Sequence, residues 1–167
     1  KPMVVQSAKS LPNSKDYIFV TLKEHLEKYS LKKVLTDDFK NAKIVAIENV
    51  TKGQAITCSA GLSGVDTNSS LLVAASDNGI MIDENKYSKL IEDENVDAII
   101  FTFRHHTSSK NNPQMYGWVK TDLKNNAIEV SVKIPISTNP YEDHAIVGTF
   151  WFKKVEYYNI GLQNLLK

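Results

Sequence analysis

Four short, continuously apolar runs recur along the chain: Tyr17-Ile18-Phe19-Val20, Ile44-Val45-Ala46-Ile47, Leu71-Leu72-Val73-Ala74-Ala75 and Ala98-Ile99-Ile100-Phe101-Thr102-Phe103. A strand covered on both faces reads this way, since neither side has to meet water. The stretches between the runs are helical in pattern. Val4, Val5 and Ala8 predict a short helix that ends before Pro12, whose ring disfavours helix at the residue preceding it. Residues 21–39 carry Leu22, Leu26, Leu31, Val34 and Leu35 among lysines and glutamates, which predicts two short amphipathic pieces with a break near Tyr29-Ser30. Residues 53–62 and 83–93 predict two further helices, the second capped by Asp83. Buried strands alternating with helices predict an α/β protein with a mainly parallel sheet covered on both faces.

After Arg104 the texture changes. Asn111-Asn112-Pro113 reads as a loop, residues 116–121 and 128–133 alternate like hairpin strands across Lys124-Asn125-Asn126, and residues 145–153 form another strand. The second half is therefore β-rich. With 167 residues, 42% hydrophobic and 23% charged positions, the chain can bury a core, and no repeat or linker divides it. One domain over residues 1–167 is expected. The chain starts at Lys1-Pro2-Met3 and ends on Leu165-Leu166-Lys167, and it reads as a piece of a longer protein.

The formal net charge is +1, so no overall basic field points to nucleic acid or to an anionic membrane. Of the 20 lysine and arginine side chains only Arg104 is an arginine, which leaves a single candidate for a bidentate anion clamp. The lone Cys58 excludes an internal disulfide and a cysteine-built zinc site. No apolar run approaches the roughly 18 residues of a membrane helix, and the start lacks the layout of a secretory signal. A cytoplasmic location is expected.

In open α/β sheets ligands gather at the carboxyl ends of the strands, where helix N-termini favour anions. Asp77 is the first acid after the third run, and a carboxylate there suits Mg²⁺, which fills its other positions with water and phosphate oxygens. Asp77-Asn78-Gly79 are equally turn formers, and on spacing alone the turn comes first. Gly53-Gln54-Ala55 opens a helix, where a glycine admits a flat ligand and a glutamine amide can pair with a base edge; a plain helix start explains the triplet equally well. Tyr116-Gly117-Trp118 suits a sugar or ordinary packing. Lys133, ahead of Ile134-Pro135, suits a phosphate or plain solvent. His105-His106 point to opposite sides of an extended chain and read as a solvated loop. His144 reads as a strand-edge histidine, and Cys58 as a small buried hydrophobe. There is no Walker loop, no dinucleotide fingerprint and no nucleophile elbow.

Taken in order, Gly53-Gln54-Ala55, residues 72–79, residues 97–103, Tyr116-Gly117-Trp118-Val119, residues 130–137 and residues 144–152 resemble the nucleotidyltransferases that make nucleoside-diphosphate sugars, in particular the branch associated with capsule and surface polysaccharides. The likeness covers nearly the whole chain. It implies a Rossmann-like three-layer sandwich of glycosyltransferase-A type, with a mixed, mostly parallel sheet. It also implies a Mg²⁺-dependent reaction in which a sugar 1-phosphate, or a related phospho-alcohol, attacks the α-phosphate of a nucleoside triphosphate and releases pyrophosphate. On this resemblance Asp77 falls on the metal-binding aspartate, and Gly53, Gln54 and Ala55 fall on the nucleobase segment. Tyr116, Gly117 and Gly148 fall on the sugar contacts, and Lys133 on the lysine that neutralises the acceptor phosphate. The partners implied are the triphosphate and the sugar phosphate, with no nucleic acid and no membrane insertion; homo-oligomerisation is open.

The departures from the family pattern are specific. The glycine-rich loop that grips the triphosphate would lie before Lys1. Val132 stands where a glutamate often precedes the lysine, Ile134 separates Lys133 from Pro135, and no second metal aspartate follows residue 152. The chain by itself is therefore expected to be inactive or nearly so even where its parent is an enzyme. A non-catalytic nucleotide-sugar-binding relative, or a glycosyltransferase of the same fold, are the alternatives.

Overall fold

The computed structural model describes residues 1–167 as two compact units, residues 1–97 with 152–167 and residues 98–151. In chain order the elements are α1 (Met3–Lys9), β1 (Ile18–Leu22), α2 (Lys23–Lys28), α3 (Leu31–Asp38), β2 (Lys43–Ile47), α4 (Gln54–Gly61), β3 (Leu71–Val73) and α5 (Glu84–Glu92). There follow β4 (Ala98–Phe103), α6 (Thr107–Asn111), a 3₁₀ turn (Pro113–Met115), β5 (Gly117–Thr121), β6 (Ala127–Val132), β7 (His144–Phe152) and α7 (Val155–Leu165).

In the first unit β1 and β2 pair in parallel, Ile18 opposite Lys43 and Leu22 opposite Ile47. A parallel pair needs a crossover, and α2 and α3 supply it. Their break falls at Ser30, which adopts the left-handed φ of 49°. Val5 and Ala8 of α1 pack with Leu35 and Phe39 to form the core, flanked by Tyr17, Phe19 and Ile44. The Phe39 ring lies 4.7 Å from Tyr17 and 5.2 Å from Phe19, so three aromatic rings close one end of it. Asp83 caps α5 as its sequence predicts, accepting from the Lys86 amide at 3.1 Å.

In the second unit β4 pairs with β7, β7 with β5, and β5 with β6. The β5–β6 hairpin sets Gly117 opposite Val132 and Lys120 opposite Glu129, with a register shift before Thr121. Asp122 holds its turn by accepting from the Lys124 and Asn126 amides, each at 2.8 Å, while Asn125 takes φ 65°. β7 runs antiparallel to β5, Trp118 opposite Ala145. Trp118, Val119, Ala145 and Trp151 are buried.

Two expectations are corrected. Parallel pairing joins β1 and β2, whereas the larger sheet is built on antiparallel pairs, so the sheet is not mainly parallel. The third apolar run also yields a strand of only three residues, because the Ala75 carbonyl is taken by the Ser7 hydroxyl at 3.0 Å instead of by a ladder. α6 and α7 are additions to the expected elements. α7 contains β-branched, aromatic and glycine residues that disfavour helix, but burying Val155 and Tyr158 outweighs those weak preferences.

Candidate functional site

The residues nominated from sequence fall into two groups, one in each unit. In the first unit Gly53 is the N-cap of α4, with Gln54 and Ala55 in the opening turn. The Thr51 hydroxyl donates to the Gly53 carbonyl at 2.9 Å, and the Thr57 hydroxyl reaches the same carbonyl at 3.2 Å. The Ala55 carbonyl accepts from the Tyr158 hydroxyl, which anchors the helix start from α7. Burial pushes the Tyr158 phenol up to about 12, with Cys58 adding to the effect, so it stays a proton donor at neutral pH. Gly53 is itself in an extended backbone conformation and a β-carbon there would meet nothing within 4 Å.

Asp77 lies on the bend after β3, and its carboxylate is exposed with no hydrogen bond or ion pair. The loop that carries it is pinned from α1. The buried Ser7 hydroxyl lies 3.0 Å from the Ala75 carbonyl and 2.6 Å from that of Asn78, and the Ser10 hydroxyl accepts from the Ile80 amide at 3.0 Å. Neither serine stands out in the sequence; the available signal is a polar residue on α1 and another at its C-cap, beside the buried Val5 and Ala8. Asp77 belongs to no group of three metal-ligating side chains. A free carboxylate on a held loop nevertheless fits a hard cation that takes its remaining ligands from water and phosphate.

In the second unit Tyr116, Gly117 and Lys133 come together. The Lys133 amide donates to the Tyr116 carbonyl at 2.9 Å, and Gly117 pairs with Val132. Lys133 has φ 64°, a left-handed backbone that is uncommon for a side chain of this kind. Its ammonium is exposed and has no acidic partner. Gly148, within β7, has φ 90°, which only glycine adopts readily. At the head of β7, His144 Nδ1 lies 2.9 Å from the Thr102 hydroxyl. Burial holds the His144 imidazole below its usual range, and Arg104 adds to that, while Asp143 acts in the opposite sense.

The two adjacent histidines part company. His105 takes φ 60° and meets Glu142 at 2.8 Å, while His106 caps α6 by accepting from the Ser108 amide at 3.2 Å. Burial also pushes the Cys58 thiol up, the opposite of the lowered values of reactive cysteines.

No protein-family model and no curated protein matches the chain. Solved structures do. A Bacillus anthracis protein described as a glucose-1-phosphate thymidylyltransferase, in complex with sucrose, superposes with a TM-score of 0.70 at 17% identity, over 95% of this chain and 61% of that one. The synthetase of CMP-2-keto-3-deoxy-manno-octonic acid, complexed with CTP, gives 0.65 at 13% identity, over 98% and 67%. A UDP-glucose pyrophosphorylase complexed with UDP-glucose gives 0.60 at 12% identity, over 92% and 64%. The chain has the fold of these proteins. It spans 61% to 67% of their lengths. No helix is long and apolar enough to cross a membrane.

Proposed function

We propose that the chain is the core of a nucleotidyltransferase that joins the nucleotidyl group of a nucleoside triphosphate to a sugar 1-phosphate, or a related phospho-alcohol, for surface-polysaccharide precursors. The observation that carries this reading is the shared fold with proteins described as a thymidylyltransferase, a CMP-sugar acid synthetase and a UDP-sugar pyrophosphorylase. The ordered motif series from Gly53 to residue 152 supports it.

In this reading an oxygen of the acceptor phosphate attacks the α-phosphorus, and the bond to the bridging oxygen of the β-phosphate breaks. Pyrophosphate leaves with that electron pair. Such a transfer asks mainly for positioning and charge neutralisation, so no covalent nucleophile is required of the chain. Mg²⁺, when bound, neutralises triphosphate charge, and Asp77 is the carboxylate that would hold it. Gly53, Gln54 and Ala55 receive the nucleobase, the amide of Gln54 pairing with its edge. Tyr116, Gly117 and Gly148 border the sugar. Lys133, a free ammonium on a strained backbone, neutralises the acceptor phosphate as a point charge.

Asp77→Asn tests the assignment. Mg²⁺-dependent pyrophosphate release by the intact protein is expected to fall about a hundredfold or more while the circular dichroism stays unchanged. Unchanged release would remove Asp77 from the metal site. A non-catalytic nucleotide-sugar-binding relative is the second reading, favoured by Val132 and Ile134 on either side of Lys133; it predicts binding without pyrophosphate release.

A further inference from the structure

Tyr116 has its whole side chain engaged inside its own unit. Its hydroxyl donates to the Ser108 hydroxyl oxygen at 2.8 Å. Its ring is held edge-to-face by Phe103 at 5.4 Å and by Trp118 at 6.0 Å, the latter fully buried with its indole N–H on the Pro113 carbonyl at 3.1 Å. Ser108 is fixed in turn. Its hydroxyl lies 2.6 Å from His106 Nδ1, and its amide donates to the same nitrogen.

The Ser108 amide can only donate, so His106 Nδ1 is the acceptor at that bond, and the Ser108 hydroxyl stands within hydrogen-bond distance of the same nitrogen. The His106 ring also stands edge-to-face on Phe103 at 5.9 Å, so the same phenyl ring braces both ends of the relay. Beyond the hydroxyl, the Tyr116 carbonyl receives the Lys133 amide. A line of bonds thus runs from His106 through Ser108 and Tyr116 to the backbone of Lys133.

We propose that Ser108, oriented by the imidazole of His106, is a positioning residue that sets the Tyr116-Gly117 backbone and the backbone of Lys133, and that the Tyr116 hydroxyl serves this relay and makes no contact with ligand. The second clause rests on the reading that Tyr116, Gly117 and Lys133 meet a sugar phosphate. The first does not.

Four variants of the full chain, Ser108→Ala, Tyr116→Phe, His106→Ala and His106→Asn, separate the possibilities with two readouts. The first is amide hydrogen exchange at Lys133 without ligand. Ser108→Ala and Tyr116→Phe each remove the same bond, so each is expected to speed exchange about tenfold, and the double variant no more than either single one. His106→Ala is expected to behave likewise. His106→Asn keeps an acceptor suited to the helix cap and is expected to restore the wild-type rate. Wild-type exchange in Ser108→Ala would overturn the positioning role whether or not any ligand binds.

The second readout is the affinity of glucose 1-phosphate, taken as the probe. Ser108→Ala and Tyr116→Phe are expected to weaken it equally, with the His106→Asn value unchanged. Weaker binding in Tyr116→Phe alone would overturn the relay, because the hydroxyl would then touch the sugar itself. If the wild-type chain shows the exchange pattern but binds no glucose 1-phosphate, the sugar-phosphate reading fails for this probe and the relay as a backbone-positioning device stands.

Discussion

Three of the glycines that the motif series nominates for ligand contact are glycine for different reasons. Gly148 has a φ of 90°, and Gly117 has so little room that a β-carbon would sit 3.0 Å from Ile146 Cδ1. Gly53 is constrained by neither its backbone nor its neighbours. Glycine suits its place as the N-cap of α4, and the open space beside it leaves room for a ligand. Gly53→Ala is expected to lower stability by no more than about 1 kcal/mol, the usual size of an N-cap effect, and to weaken nucleotide binding several-fold. A calorimetric titration with CTP and UTP checks this, and full affinity for the preferred nucleotide would remove Gly53 from the base site. His144 carries a pH prediction. Its folded form prefers the neutral imidazole, so stability is intact above the usual histidine value of about 6.5 and falls as the unfolded chain takes up its proton below that pH. The decline levels off once the folded protein is protonated too. Denaturant melts across this range should show the decline in the native chain and lose much of it in His144→Gln. Asp77 and Lys133 were legible as residues because turn formers and a strand-end lysine stand out in a sequence. Ser7, Ser108 and Thr102 were not, because a serine or threonine hydroxyl gains its role from partners distant in sequence or from a loop geometry that no period predicts.

At the scale of elements, helix α4 lies against strand β1 at Gly61. A β-carbon there would stand 2.9 Å from Ile18 Cγ2 and 3.0 Å from Val20 Cγ2. Both neighbours are β-branched residues of a paired strand and have little freedom to yield. Alanine improves helix propensity by up to about 1 kcal/mol, but overpacking typically costs about 1–3 kcal/mol. Gly61→Ala is therefore expected to be destabilising overall, by about 1–2 kcal/mol in a urea melt; a gain in stability would show that the contact is looser. Most elements were readable from pattern alone, including the broken helix pair around Ser30 and the capped α5. α6 escaped because five residues without apolar period carry no helical signal, and it exists through the His106 cap and the buried Ser109, whose hydroxyl bonds the His106 carbonyl at 2.7 Å. The sheet direction differs from the expected one for a related reason. Continuous apolar character reports that a strand is covered on both faces, and it holds no information on which neighbour pairs with it or in which sense.

On the scale of the whole molecule, the chain is two compact units, and the nominated residues divide between them: Gly53, Gln54, Ala55 and Asp77 in one, Tyr116, Gly117, Lys133 and Gly148 in the other. At 12% to 17% identity the likeness to solved structures shows a shared fold, and the chemistry has to come from the site. The direct test is Mg²⁺-dependent pyrophosphate release by the intact protein over a panel of nucleoside triphosphates and sugar 1-phosphates. At least one pair is expected to give turnover, which chelation of the metal stops and omission of the sugar phosphate abolishes. Tight nucleotide binding with no pyrophosphate released from any pair would contradict a nucleotidyltransferase activity.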